Sequence, residues 1–91
     1  MAELDPESVE GSYLLASYWY QRRDYPQARL HTEKAKARYP GSGSLRNLLG
    51  NIYMALRQPD EAIQEYAAAV RLNPERSDFS SNYESLLKKS P

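Results

Sequence analysis

The sequence predicts an all-α chain of antiparallel helix pairs, and three observations carry that prediction. Pro6, Pro40 and Pro74 stand 34 residues apart. Between and beyond them, five stretches place apolar or small residues at helical spacing. Each stretch is bounded by residues that end helices: Arg22 to Pro26, Tyr39 to Gly43, Arg57 to Asp60 and Asn73 to Arg76.

A chain of 91 residues has room for one small domain, which buries only about 60–65% of the surface of its unfolded chain. Stability is therefore modest or shared with neighbouring structure. The 12 basic and 12 acidic residues balance, so the chain as a whole has no long-range attraction to nucleic acid or an anionic membrane. Cysteine is absent, which excludes disulfides, thiolate zinc sites and a cysteine nucleophile and is compatible with any redox compartment. No apolar run approaches the roughly 20 residues that span a bilayer, and the acidic stretch from Met1 to Glu10 lacks the basic and apolar regions of a signal peptide. A soluble chain without membrane insertion is expected.

Residues 1–8 read as a lead-in, with Asp5-Pro6-Glu7 resembling a helix start. The first helix spans about Val9 to Arg22, with Gly11, Leu15, Tyr18, Trp19 and Arg22 on the side assigned to the core and Tyr13, Ser17 and Tyr20 opposite. Pro26 suits the first turn of a second helix reaching Arg38. That helix is polar, with a small-residue stripe of Ala28, Thr32 and Ala35 flanked by Arg29 and Lys36, whose stems must lie along apolar surface. A third helix, about Ser44 to Leu56, turns Leu45, Leu49, Ile52, Tyr53 and Leu56 to one face and Asn47, Asn51 and Met54 to the other. The fourth, about Asp60 to Leu72, carries Ala62, Ile63, Tyr66, Ala69, Val70 and Leu72, and its acidic first turn suits the helix dipole. Ser77 then serves as N-cap to a fifth helix reaching about Lys89.

Aligned on itself at an offset of 34, the chain pairs Leu15 with Leu49, Ala16 with Gly50, Trp19 with Tyr53, Ala28 with Ala62, Ala35 with Ala69 and Pro40 with Pro74. A small residue in each helix of a pair lets the backbones approach, and stacking neighbours buries what one pair cannot. Leu49, Gly50, Tyr53, Ala62, Tyr66, Ala69 and Pro74 resemble the signature of the tetratricopeptide repeat, a 34-residue helix-turn-helix. The earlier repeat keeps Leu15, Ala28, Ala35 and Pro40, but places Ala16, Trp19 and Thr32 where glycine, tyrosine and a large aromatic are usual. Both repeats lack the family's early tryptophan, having Ser12 and Arg46 in its place. The resemblance implies a short right-handed superhelix: residues 9–42 and 43–76 as two repeats, 77–91 as a capping helix and tail. Glu84 stands in the slot of Ala16 and Gly50, where a charge opposes close packing of another helix. Glu3-Leu4-Asp5-Pro6 resembles the tail of a preceding repeat.

The resemblance further implies a protein–protein interaction module whose first helices line a concave groove. By the offset, that groove holds three layers: Tyr13, Asn47 and Ser81; Ser17, Asn51 and Ser85; Tyr20, Met54 and Lys88. A peptide or helix of a partner would bond the carboxamides and stack on the tyrosines and Met54. The family's carboxylate clamp for chaperone tails does not fit, because Tyr13, Ser17, Leu48, Asp78 and Asn82 occupy its positions and only Asn82 is a suitable polar group. The rival reading of Tyr13, Leu14, Tyr18 and Tyr20 is burial of the first helix against a second copy or a neighbouring repeat, an assembly module with no separate peptide ligand.

Other constellations carry less. Residues 22–38 hold an excess of positive charge, but without interleaved aromatics a solvated back face is expected rather than a nucleic-acid site. His31 is the only histidine and is expected at the surface, with no metal-ligand spacing around it. Asp60, Glu61 and Glu65 form a helix start and an i+4 pattern rather than an acid–base pair, and Gly41-Ser42-Gly43 lacks the lysine of a phosphate loop. No enzymatic activity, cofactor or metal is expected.

Overall fold

The computed structural model describes residues 8–89. It contains five helices, α1 (Val9–Gln21), α2 (Tyr25–Arg38), α3 (Gly43–Ala55), α4 (Pro59–Leu72) and α5 (Ser77–Lys89). The lead-in, its proline helix start and the tail-like Glu3 to Pro6 lie outside the described residues.

Local chemistry sets most of these boundaries. The Ser8 hydroxyl accepts from the Gly11 N–H at 3.0 Å, Asp24 Oδ1 from Gln27 at 3.3 Å and the Ser42 hydroxyl from Leu45 at 3.2 Å, each satisfying an orphan donor of a helix start. Gln58 makes no side-chain cap, and α4 relies instead on Pro59 with Asp60 and Glu61 in its first turn. Capping by Ser42 draws Gly43 into α3, one residue earlier than periodicity alone indicates. Ser77 is the first helical residue of α5 rather than its N-cap, because Ser80 N–H already bonds to Arg76 C=O.

The two turns inside the helix pairs are built alike. Arg22, Arg23 and Asp24 N–H bond to Tyr18, Tyr20 and Trp19 C=O; 34 residues on, Leu56, Arg57 and Gln58 bond to Ile52, Met54 and Tyr53. Each turn needs one left-handed residue, and an arginine supplies it both times: Arg23 at φ 64° and Arg57 at φ 62°.

Consecutive helices pack on one another, and α1 also touches α3. With α5 bonded to α3 through Asn82 and Asn47, α1, α3 and α5 make one layer and α2 and α4 the other. The result is an elongated slab of 47 × 28 × 21 Å. Ala16, Ala28, Leu48 and Ile52 form one core cluster, closed at its edge by Trp19, Tyr20 and Leu56; Ala62, Tyr66 and Leu86 form a second with Tyr53, Ile63 and Tyr83. Thr32, fully buried in the slot where an aromatic is usual, donates its hydroxyl to Ala28 C=O at 2.6 Å.

Two further expectations are corrected. On α1 the buried residues are Gly11 and Ala16, whereas Leu15, Tyr18 and Arg22 are exposed. Small residues win the interface because α2 approaches closely, and the larger ones are displaced to the open side. His31 is half-buried rather than a plain surface residue, its ring parallel to Trp19 with centroids 6.0 Å apart.

Arg46, in the position of the missing tryptophan, explains how the packing departs from the family pattern. Its guanidinium reaches Glu65 at 3.4 Å and Pro40 C=O at 3.5 Å. Glu65, only 8% exposed, also accepts from Lys36 at 3.0 Å, and Lys36 pairs with Glu33 at 3.1 Å. Tyr53 donates its hydroxyl to Glu33. This network ties α2, α3 and α4 where an indole would otherwise fill space, and it neutralises part of the positive charge of α2.

Candidate functional site

Of the expected groove residues, the α1–α3–α5 layer gathers Asn47, Asn51, Met54 and Asn82 around Tyr66, and several are already engaged. Asn47 Oδ1 accepts from Asn82 Nδ2 at 3.0 Å, and Asn51 Oδ1 accepts from the Tyr66 hydroxyl at 2.5 Å. Both carboxamides thus engage their oxygens within the protein. Tyr20 is half-buried, its ring 5.6 Å from that of Tyr25 and tilted by 56°. Burial, then the neighbouring Tyr25, push its phenol above the ordinary value. Tyr20 closes the first core cluster as much as it faces a groove.

Met54 is the most open of the central residues, at 36% exposure. With Tyr66, Asn82, Ser85, Leu86 and Lys89 it lines a cleft of about 140 Å³. Ser17 is half-buried and Ser81, Ser85 and Lys88 are exposed; Lys89, not Lys88, lines this cleft. Tyr13 is exposed but stands apart, at a cavity of about 480 Å³ with Val9, Glu10, Leu14, Ser42 and Ser44. Of the clamp positions, Leu48 is uncharged and buried in the core and Asp78 is itself an anion, paired with Arg76 at 2.8 Å, so neither attracts a carboxylate.

Tyr66 is a cleft-lining residue that periodicity assigns wholly to the core. Its ring is buried against the second cluster while its hydroxyl emerges at Asn51. Burial, then the potential charge on Tyr20, push its phenol up to about 12, so it remains a proton donor at neutral pH. The signal for it in the sequence is Gly50, one residue before Asn51, because the missing side chain makes the space through which the ring passes. No group of three or more histidine, cysteine, aspartate or glutamate residues able to hold a metal occurs among the described residues.

Comparison with known proteins gives a consistent picture. Two family models described as tetratricopeptide repeat match the chain, one over residues 44–76 and one over residues 2–43. No curated protein matches. Among solved structures, the Yersinia enterocolitica type III secretion translocator chaperone SycD is similar, with a TM-score of 0.83 and 22% sequence identity over 96% of this chain. The match spans 60% of the SycD chain, and at that identity the likeness is one of fold.

Proposed function

Since the chain belongs to the tetratricopeptide repeat family, we propose that it is a protein-interaction module that receives a peptide or helix of a partner along its α1–α3–α5 layer. The observation that carries this reading is the cleft of Met54, Tyr66, Asn82, Ser85, Leu86 and Lys89. It couples an adaptable thioether and an aromatic wall to the oriented amide of Asn82, with Asn47 and Asn51 bonded just behind Asn82 and Tyr66, a combination that suits an apolar side chain flanked by backbone polar groups. The Tyr66–Asn51 and Asn82–Asn47 bonds fix the two carboxamides in advance, so little ordering entropy is lost on binding. Ser17, Tyr20 and Lys88 extend the strip, and Tyr13, at its separate cavity, is an outlying contact. Recognition is by shape and hydrogen bonding with little movement of the helices. That SycD is described as a translocator chaperone is in keeping with this reading.

Panning a random peptide library on the chain tests it. Enriched peptides are expected to bind with micromolar affinity and to lose about tenfold or more on Met54→Glu or Ser85→Glu, while Lys34→Glu on α2 leaves binding unchanged. Peptides indifferent to both cleft substitutions overturn the proposal.

A further inference from the structure

The two repeats differ most in what covers the first helix of each. Leu14 and Tyr18 on α1 are 49% and 50% exposed, whereas their counterparts 34 residues on, Leu48 and Ile52, are 5% and 0% exposed in the cluster with Ala16 and Ala28. The face that α3 buries against the preceding helix pair is thus left open on α1. Along α1 this face is a stripe at i+4 spacing, Glu10, Leu14, Tyr18 and Arg22, and all four residues are exposed. Arg22 already lies over the Tyr18 ring, 5.4 Å from its centroid.

We propose that this stripe is a self-association surface on which two copies of the chain pair through antiparallel α1 helices about a two-fold axis at the level of Ala16. The order acid, leucine, tyrosine, base is complementary to itself when reversed. Leu14 meets Tyr18 of the second copy, and Glu10 meets Arg22 of the second copy, each contact occurring twice as an isologous interface requires. The stripe is about 18 Å long at 1.5 Å rise per residue. Ala16 points the opposite way, into the core, so pairing asks nothing of the folded chain. Charge complementarity in this single register favours a second copy over an unrelated apolar partner. One helix pair buries less than a standard interface, so the dimer is weak, with a dissociation constant on the order of 0.1 mM.

Sedimentation equilibrium of the 91-residue chain, from about 10 μM to about 1 mM, tests this. The unaltered chain is expected to show a monomer–dimer equilibrium. Glu10→Arg and Arg22→Glu each replace two attractive contacts with two repulsive ones and are expected to weaken it about tenfold or more. Mixed in equal amounts, the two variants regain opposite charges at both contacts. The arginine introduced at position 10 of one chain faces the glutamate introduced at position 22 of the other, and the unaltered Arg22 faces the unaltered Glu10. The mixture is therefore expected to recover the affinity of the unaltered chain. Circular dichroism checks that each variant remains helical. As a second measurement, Leu14→Cys and Tyr18→Cys chains, otherwise free of cysteine, are oxidised together and are expected to cross-link to each other in preference to themselves. A chain monomeric throughout the range overturns the proposal and leaves the face to another protein or a further helix pair. So does a dimer indifferent to both charge reversals, or a mixture no more associated than its components.

Discussion

The ring of Tyr66 occupies the space in which a side chain on Gly50 would stand: a Cβ built there lies 2.5 Å from two ring carbons. In the first repeat the equivalent positions are Ala16 and Thr32. The two repeats therefore solve one packing problem by opposite exchanges, small with large in one and intermediate with intermediate in the other. Gly50→Ala alone is expected to destabilise by about 1–2 kcal/mol, overpacking of roughly 1–3 kcal/mol being offset in part by better helix propensity. Tyr66→Thr alone leaves a cavity and costs about 2–4 kcal/mol. Combined, they rebuild the first repeat's arrangement and should cost less than their sum by about 1 kcal/mol or more in urea unfolding. Strict additivity would mean that the ring and the glycine do not constrain each other.

The intra-pair turns offer stabilisation. Arg23 and Arg57 hold positive φ near 60° and are exposed, a conformation costing a side-chain-bearing residue about 1–2 kcal/mol. Glycine relieves that cost and loses somewhat less than 1 kcal/mol to its freer unfolded chain. Arg23→Gly and Arg57→Gly should each raise stability by about 0.5 kcal/mol, and nearly additively because they sit in separate turns. A lowered urea midpoint in both would show that the arginine side chains contribute more than the backbone strain removes.

Stability should fall at both ends of the pH scale for identifiable reasons. Glu33 is partly desolvated, which raises its pKa, but hydrogen bonds from Tyr53 and Lys36 outweigh this and hold it below its ordinary 4.5. Its contribution is present above that value and is lost as pH falls through the lower folded value. Tyr66 is raised by burial from 10.0 to about 12, and Tyr53 is raised by burial and by Glu33. Their contributions are whole below pH 10 and disappear as pH climbs through the folded values. Urea unfolding across pH should show Glu33→Gln flattening the acid limb and Tyr66→Phe flattening the alkaline limb. Profiles parallel to that of the unaltered chain would remove these groups from the account.

The helices are legible in the sequence because their signals are local: prolines, capping hydroxyls and apolar spacing act within a turn or two. What periodicity cannot say is which face of a helix finds a neighbour. Leu15 and Tyr18 share the side of α1 that periodicity turns inward, yet the close approach of α2 selects Gly11 and Ala16. Reading Tyr66 as apolar overlooks its hydroxyl, which carries it from the core to Asn51. The Arg46–Glu65–Lys36 network joins three helices over separations of 19 and 29 residues, and no spacing rule within one helix reveals it.

The α5 side of the proposed binding strip depends on that helix staying docked, and docking rests on few side chains. Phe79, 1% exposed, and Leu86, 6% exposed, are its buried residues. Arg76 lies over the Phe79 ring at 4.3 Å from its centroid. Phe79→Ala should cost about 3–4 kcal/mol, and in a stacked array such a loss is felt first at the affected helix. Hydrogen exchange should then show α5 amides losing protection while those of α2 and α3 keep theirs. Releasing α5 also withdraws Asn82 from Asn47 and opens one wall of the Met54 cleft. Library-selected peptides should therefore bind this variant about tenfold or more weakly, although Phe79 itself lies outside the cleft. Uniform loss of protection along the chain would instead show that the helices unfold as one cooperative unit.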